Sequence, residues 1–315
     1  MAKMITKLLG GIGAVAGLGA VSSETLLHYI CDSKADLSKF FPAEAHTAEE
    51  ELVDDVRAED YEWILDQDIE DFYITSKDNL KLHATYIPTN ASSNCFVLCV
   101  HGFHSTGMNE FDSIARFYHE NGMHVLLIDQ RAQGLSQGKY ITHGYHESDD
   151  CMRWIEFLKK EFGRKIQIIL HGVAMGASTV MMMCKNYLPD NVLMAVCDSG
   201  YARFKDQLIF TIDGCHLPGA GCYKLFRGSA NIRAGFDPDA VNPIDAIKKC
   251  HIPILFIHGE QDRHVPFENV YDLYDACVSS DKRLVTVPDA GHAEAFYVSD
   301  EVRDTILEMA EDLTK

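Results

Sequence analysis

The chain has 315 residues, 47% of them hydrophobic and 24% charged, with a formal net charge of −19. That length holds one large α/β domain with an insertion, or two smaller domains. The acidic balance excludes a nucleic-acid backbone as partner, because phosphate binding needs clustered Lys and Arg that release counterions.

At the N-terminus Lys3 and Lys7 precede the apolar run LLGGIGAVAGLGAV, which carries five glycines and is shorter than the ~20 residues of a membrane span. Three readings stay open for it: a helix packed on the protein or on a neighbour, a membrane-surface or inserted anchor over about residues 3–30, and a signal segment, which lacks a clean A-x-A site. The expectation is a cytoplasmic chain, membrane-associated through this segment where it acts as an anchor. From Thr47 to Gln67 the apolar positions Leu52, Val56, Trp63 and Ile64 suit one helix face. Residues 1–67 thus read as an N-terminal helical segment and 68–315 as the main domain.

Strand signals follow. DFYITS and LKLHATYI, with Asp-Asn between them, predict a hairpin. Thereafter short apolar runs (CFVLCV, HVLLID, IQIILHG, NVLMAVCD, IPILFIHG, RLVTVP) alternate with amphipathic stretches. Near-continuous apolar strands alternating with helices imply a mostly parallel sheet covered on both faces. Between about residues 201 and 241 the rhythm breaks into a segment rich in Gly and aromatics, as an inserted cap would.

Ten cysteines are scattered with no C-x-x-C pair, which reads as a reduced, intracellular chain. Cys95 and Cys99 sit in an apolar run, where thiols behave as small hydrophobes. Among fifteen histidines there is no H-E-x-x-H and no Cys/His zinc spacing, so neither a metal nor a cofactor is expected.

The stretch HGVAMGAS, His171 to Ser178, sits between a strand and a helix-like run and reads G-x-A-x-G, with Ala174 where a strand-to-helix elbow would lift a nucleophile. Further strand-end motifs are VHGFHS, DQRAQGLSQGKY, HGEQDRHVP and DAGHAEAF. Five motifs in this order, over about four-fifths of the chain, resemble the α/β-hydrolase fold. The likeness is greatest to bacterial serine hydrolases related to cinnamoyl or feruloyl esterases and monoacylglycerol lipases. It implies an eight-stranded, mostly parallel sheet with helices on both faces and a small cap.

The resemblance sets a chain order of nucleophile, acid and base, which residues 174, 262 and 292 satisfy. His292 is the candidate base and Asp262 the acid that fixes its tautomer. Asp198, at the end of NVLMAVCD, competes for the acid role, and His264 is too near Asp262 along the loop to be its partner. The oxyanion hole is expected from the backbone N–H groups of Phe103 and Met175. His101 and Gly102 read as structural parts of that loop, and Asp129 with Arg131 as a salt-linked brace. His104, Ser105, Phe204, Phe210, Tyr223 and Phe226 are candidate pocket lining or, equally, cap core.

The expected activity is carboxylesterase-like, through an acyl-enzyme on small or medium esters. Amidase, peptidase or thioesterase chemistry uses the same apparatus, and a membrane-attached lipase remains open. Ala174 makes this chain inactive as written. An engineered serine-to-alanine change accounts for it most simply, since acid, base and oxyanion loops stay in register; a naturally inactive ligand-binding protein is the alternative. The expected partner is a small acyl compound.

Overall fold

A computed structural model describes residues 22–36, 48–90 and 92–314. The N-terminal apolar run lies outside the described residues up to Val21. Among the described residues, no helix is long and apolar enough to cross a membrane.

The eight strands are β1 (Glu70–Thr75), β2 (Lys81–Ile87), β3 (Cys95–Val100), β4 (His124–Ile128), β5 (Gln167–Val173), β6 (Val192–Asp198), β7 (Ile254–Gly259) and β8 (Lys282–Val287). They form one sheet in the order β1-β2-β4-β3-β5-β6-β7-β8. The β1–β2 and β2–β4 pairings are antiparallel and the rest parallel. Strands β3 and β7 are buried at every residue because helices cover both faces.

The principal helices are α1 (Ser23–Cys31), α2 (Ala48–Leu65), α3 (Asp112–Glu120), α4 (Glu147–Glu161), α5 (Met175–Met183), α6 (Phe204–Gly214), α7 (Gly219–Ser229), α8 (Pro243–Ile247), α9 (Glu268–Ala276) and α10 (Asp300–Thr314). On one face of the sheet Trp154 and Ile155 of α4, Val180 and Met181 of α5, Ile247 of α8 and Leu273 of α9 close a single apolar cluster. On the other, Ile114 and Tyr118 of α3 and Val302 and Ile306 of α10 do the same, joined by Ile64 of α2. Burying each such side chain contributes roughly 1.5–3 kcal/mol before the conformational entropy that ordering costs.

Helix α2 departs from the expected pattern: Ile64 is fully buried and Trp63 partly, but Val56 is 44% exposed. Ion pairs also link this helix to α3, through Arg57 to Asp112 at 3.0 Å and Arg116 to Asp60 at 2.9 Å. Helix α1 belongs elsewhere. Ser22 caps it, its Oγ accepting from the Thr25 N–H at 3.1 Å. Leu26, Leu27 and Cys31 then pack into the same cluster as Phe204, Leu208, Tyr223 and Phe226 of α6 and α7. The described parts of residues 1–67 therefore join two different regions, the sheet face and the cap.

One close approach fixes the turn from β5 to α5. A Cβ on Gly176 would lie 1.8 Å from the Val100 carbonyl oxygen, and one on Gly172 would lie 2.4 Å from the Gly176 carbonyl oxygen. Only glycine lets this helix start pack against β3. Gly176→Ala should therefore lose about 3 kcal/mol or more of stability by overpacking against backbone, measured as a drop in the urea midpoint; a variant within experimental error of the parent would show that the turn can move aside.

Candidate active site

Strand β5 ends at Val173, and the next residue turns the chain. Ala174 has φ 53° and ψ −116°, a conformation sparsely populated by any residue with a Cβ. Its N–H donates to the Asp198 carbonyl at 2.8 Å, and its carbonyl accepts from the Ser178 N–H at 3.2 Å. The strain is thus held between β6 and the first turn of α5, which presents the residue 174 side chain at the carboxyl end of the sheet. Met175 follows at the first helical position, where its N–H has no intrahelical acceptor. The Phe103 N–H, in the loop after β3, likewise donates to no acceptor among the described residues. Two unengaged backbone donors beside a turn apex are what an oxyanion site requires.

Asp262 and His292 come together from the loops after β7 and β8. His292 Nδ1 lies 2.7 Å from Asp262 Oδ2. Every acceptor site of that carboxylate is used: Oδ1 accepts from the His264 and Val265 N–H groups at 2.8 and 2.9 Å, and His258 Nε2 lies 3.0 Å from Oδ2. Burial alone would push the Asp262 carboxyl up, but the bonds from His258 and His292 outweigh it and hold the pKa well below the usual carboxylate range. Burial likewise works against a charged His292, and the Asp262 hydrogen bond overcomes it, raising the imidazole pKa above its ordinary value. His292 Nε2 has no hydrogen-bond partner among the described residues, and the side chain is 22% exposed. One ring nitrogen is therefore fixed and the other is available for proton transfer.

Asp198 is placed differently. It accepts from Ser199 Oγ at 2.8 Å, and burial raises its pKa to about 6. Ser199, with φ 56°, accepts the Ala293 N–H at 3.1 Å and so ties the base loop to the end of β6. His264 acts through its backbone on Asp262, and its ring stands edge-on to His292 with centroids 5.2 Å apart.

The loop after β3 is held by buried groups. His101 Nδ1 donates to the Gly102 carbonyl at 2.7 Å, and its Nε2 accepts the Gln130 N–H at 3.0 Å, which fixes a neutral imidazole. Phe103 stacks on His143 at 5.2 Å, and His143 stacks in turn on Phe204 of the cap at 4.0 Å. His143 Nε2 donates to the Ile30 carbonyl at 2.9 Å. Burial lowers its pKa to about 4, so it is a neutral spacer between α1, the loop after β3 and α6.

Of the residues read as pocket lining, half-buried His104 packs edge-on against Phe103 at 4.4 Å. Phe204, Tyr223 and Phe226 are buried within the cap, where the Tyr223 hydroxyl donates to Asp239 at 2.5 Å. Phe210 is 46% exposed, because the buried stripe of α6 runs through Phe204, Leu208 and Ile212 and leaves position 210 off it. The expected Asp129–Arg131 pair does not form. Arg131 pairs with Asp150 at 2.6 Å and Asp78 at 3.0 Å, while Asp129 binds His83 at 2.8 Å and the Gly107 N–H at 3.1 Å. Each braces the loop after β4 through distant partners.

Three further residues at this site were given no role from the sequence: His258, which opens the HGEQDRHVP motif at the end of β7, Ser199, just after β6, and Glu110.

Residues 91–211 match the family profile described as serine aminopeptidase, S33. The Bacillus subtilis protein YqkD is 26% identical over 71% of this chain and 73% of its own length. The zebrafish (Danio rerio) lysophosphatidylserine lipase ABHD12 is 28% identical over 60% of this chain and 49% of its own. Among solved structures, the Pyrococcus furiosus esterase Pf2001 superposes with a TM-score of 0.66 at 23% identity, over 80% of this chain and 94% of that one. With the strand order and the strained turn between β5 and α5, these likenesses show an α/β-hydrolase fold, with alanine at the apex of the turn.

Proposed function

We propose that the chain is the nucleophile-deleted form of a serine carboxylester hydrolase, Ala174 standing where a serine attacked the ester carbonyl. The observation that carries this reading is the Asp262–His292 pair, 2.7 Å apart with Nε2 unengaged, beside an elbow that keeps a strained φ of 53° at a residue with no chemistry to perform. With serine at 174, His292 Nε2 takes the hydroxyl proton, the Phe103 and Met175 N–H groups meet the oxyanion, and His292 returns the proton to the departing alkoxide. Water activated by the same nitrogen then releases the acid. The Pf2001 neighbour is an esterase and the zebrafish relative a lipase, which supports an ester, while the matched profile, described as a serine aminopeptidase, makes an amide the second substrate class to screen. Restoring serine and screening esters is the deciding experiment.

The reading also predicts that the chain as it stands holds an ester uncleaved. Replacing a hydroxyl by hydrogen removes little volume and leaves both backbone donors in place. Titration with the ester that the serine revertant turns over best should saturate, with no product formed over hours. Absence of saturable binding would favour a chain whose pocket has lost its ligand altogether.

The pH dependence has a defined sign. His292 works as a base only when neutral, and Asp262 raises its pKa, so the kcat/KM of the revertant should fall on the acid side through a limb lying above ~6.5, the unperturbed histidine value. Asp262→Asn should move the residual activity's limb to lower pH; an unmoved limb would assign it to another group.

A further inference from the structure

The Glu110 carboxylate is a strongly polar group at this site that the hydrolytic scheme leaves unused. It ends a helical turn, Gly107–Glu110, that Thr106 caps by accepting the Asn109 N–H at 3.2 Å. A Cβ built on Gly102 would lie 3.4 Å from the Ala174 Cβ and 3.6 Å from Glu110 Oε2. The carboxylate, the elbow apex and the oxyanion loop therefore converge on one point. The side chain is half-buried and has no hydrogen-bond or ion-pair partner among the described residues. The Arg57 guanidinium feels the Glu110 charge through space but makes its bonds to Asp112 at 3.0 Å and to the Asn109 carbonyl at 2.5 Å. The Tyr297 hydroxyl donates to Asp112 as well, at 3.3 Å.

We propose that Glu110 is a specificity-determining residue that selects substrates carrying a protonated or quaternary amine a few bonds from the scissile carbonyl. The proposal rests on the ester-hydrolase reading above and narrows its substrate class. Its physical basis is a charge conflict. Acyl transfer builds negative charge on the carbonyl oxygen, and a half-buried carboxylate beside the loop after β3, with no hydrogen-bonded counter-ion among the described residues, opposes it. An ammonium group on the substrate cancels the repulsion and gains a charge-assisted contact, whereas a neutral substrate bears the conflict in full. Glu110 also acts through space on His292, favouring the imidazolium, but that effect is the same for every substrate. Discrimination between charged and neutral substrates is what isolates the binding role.

Two matched pairs test it in the Ala174→Ser enzyme: phenylalanine methyl ester against methyl 3-phenylpropionate, with the cation on the acyl side, and acetylcholine against 3,3-dimethylbutyl acetate, with it on the alcohol side. We expect the cationic member of at least one pair to have the higher kcat/KM, and Glu110→Gln to reduce that cation-to-neutral ratio by about 10- to 100-fold, the range of a hydrogen bond to a charged group. The pair that responds identifies the side. Ratios unchanged by Glu110→Gln in both pairs, or a preference for both neutral members, overturn the proposal. If the revertant cleaves no ester, the hydrolase reading fails separately, and binding to the Ala174 chain becomes the readout. Phenylalanine methyl ester or acetylcholine should then bind more tightly than its neutral match and lose that margin in Glu110→Gln, and equal or absent binding of both cations overturns the proposal on its own terms. The isosteric Glu110→Gln change leaves no cavity, and circular dichroism of each variant checks that the fold is intact.

Discussion

Ala174→Ser should convert the protein into an enzyme that labels with a fluorophosphonate and turns over ester, with a gain on the order of 10⁶ in kcat, the typical cost of deleting a triad nucleophile. The expectation follows from what the elbow already supplies. The strained backbone at residue 174 is in place with alanine, so a serine Oγ would be presented without rearrangement. The Asp262–His292 hydrogen bond is formed, so the base has its tautomer fixed. On one side of the Ala174 Cβ stands Gly102, which carries no side chain: a Cβ there would lie 3.4 Å from it. A folded revertant that neither labels nor turns over any ester would mean that these residues persist in a protein without hydrolytic chemistry, and would move the reading to a ligand-binding role.

The parts of this site that sequence could reveal are those encoded locally. A glycine two residues either side of the turn apex, an aspartate just after one apolar run and a histidine just after another are short-range patterns, and a parallel sheet brings all such strand ends to one edge. What depends on distant partners was hidden. Arg131 and Asp129 are sequence neighbours of opposite charge, which suggested a mutual pair, yet each finds its partner some 19 to 53 residues away. Glu110 lies seven positions beyond Phe103 in a chain with 47 acidic residues. Only the fold back of its helical turn toward Gly102 separates it from a solvated surface acid. In the cap, the count of aromatic residues was legible but not their direction. The stripe spacing in α6 buries Phe204 and turns Phe210 outward, a difference that an apolar count cannot express.

Within the serine revertant, the two aspartates at the sheet edge should separate by orders of magnitude. Asp262→Asn should lower kcat by roughly 10⁴, because an amide in place of the carboxylate both loses the charge that stabilises the imidazolium and allows the wrong tautomer. His292→Ala should cost about as much as removing the nucleophile itself, roughly 10⁶. Asp198→Asn should cost only a few-fold, on the scale of the ~1 kcal/mol of one side-chain hydrogen bond. The contrast is geometric. Asp262 accepts two backbone N–H groups that aim its other oxygen at His292 Nδ1, 2.7 Å away. Asp198, buried with its pKa raised to about 6, spends its carboxylate on the Ser199 hydroxyl, and its link to the elbow runs through its backbone carbonyl, which an asparagine retains. Kinetics of the three variants in parallel, with circular dichroism to establish folding, would decide the assignment. Equal losses at 198 and 262 would show that the carboxylates act as one coupled acid, and a larger loss at 198 would transfer the role to the end of β6.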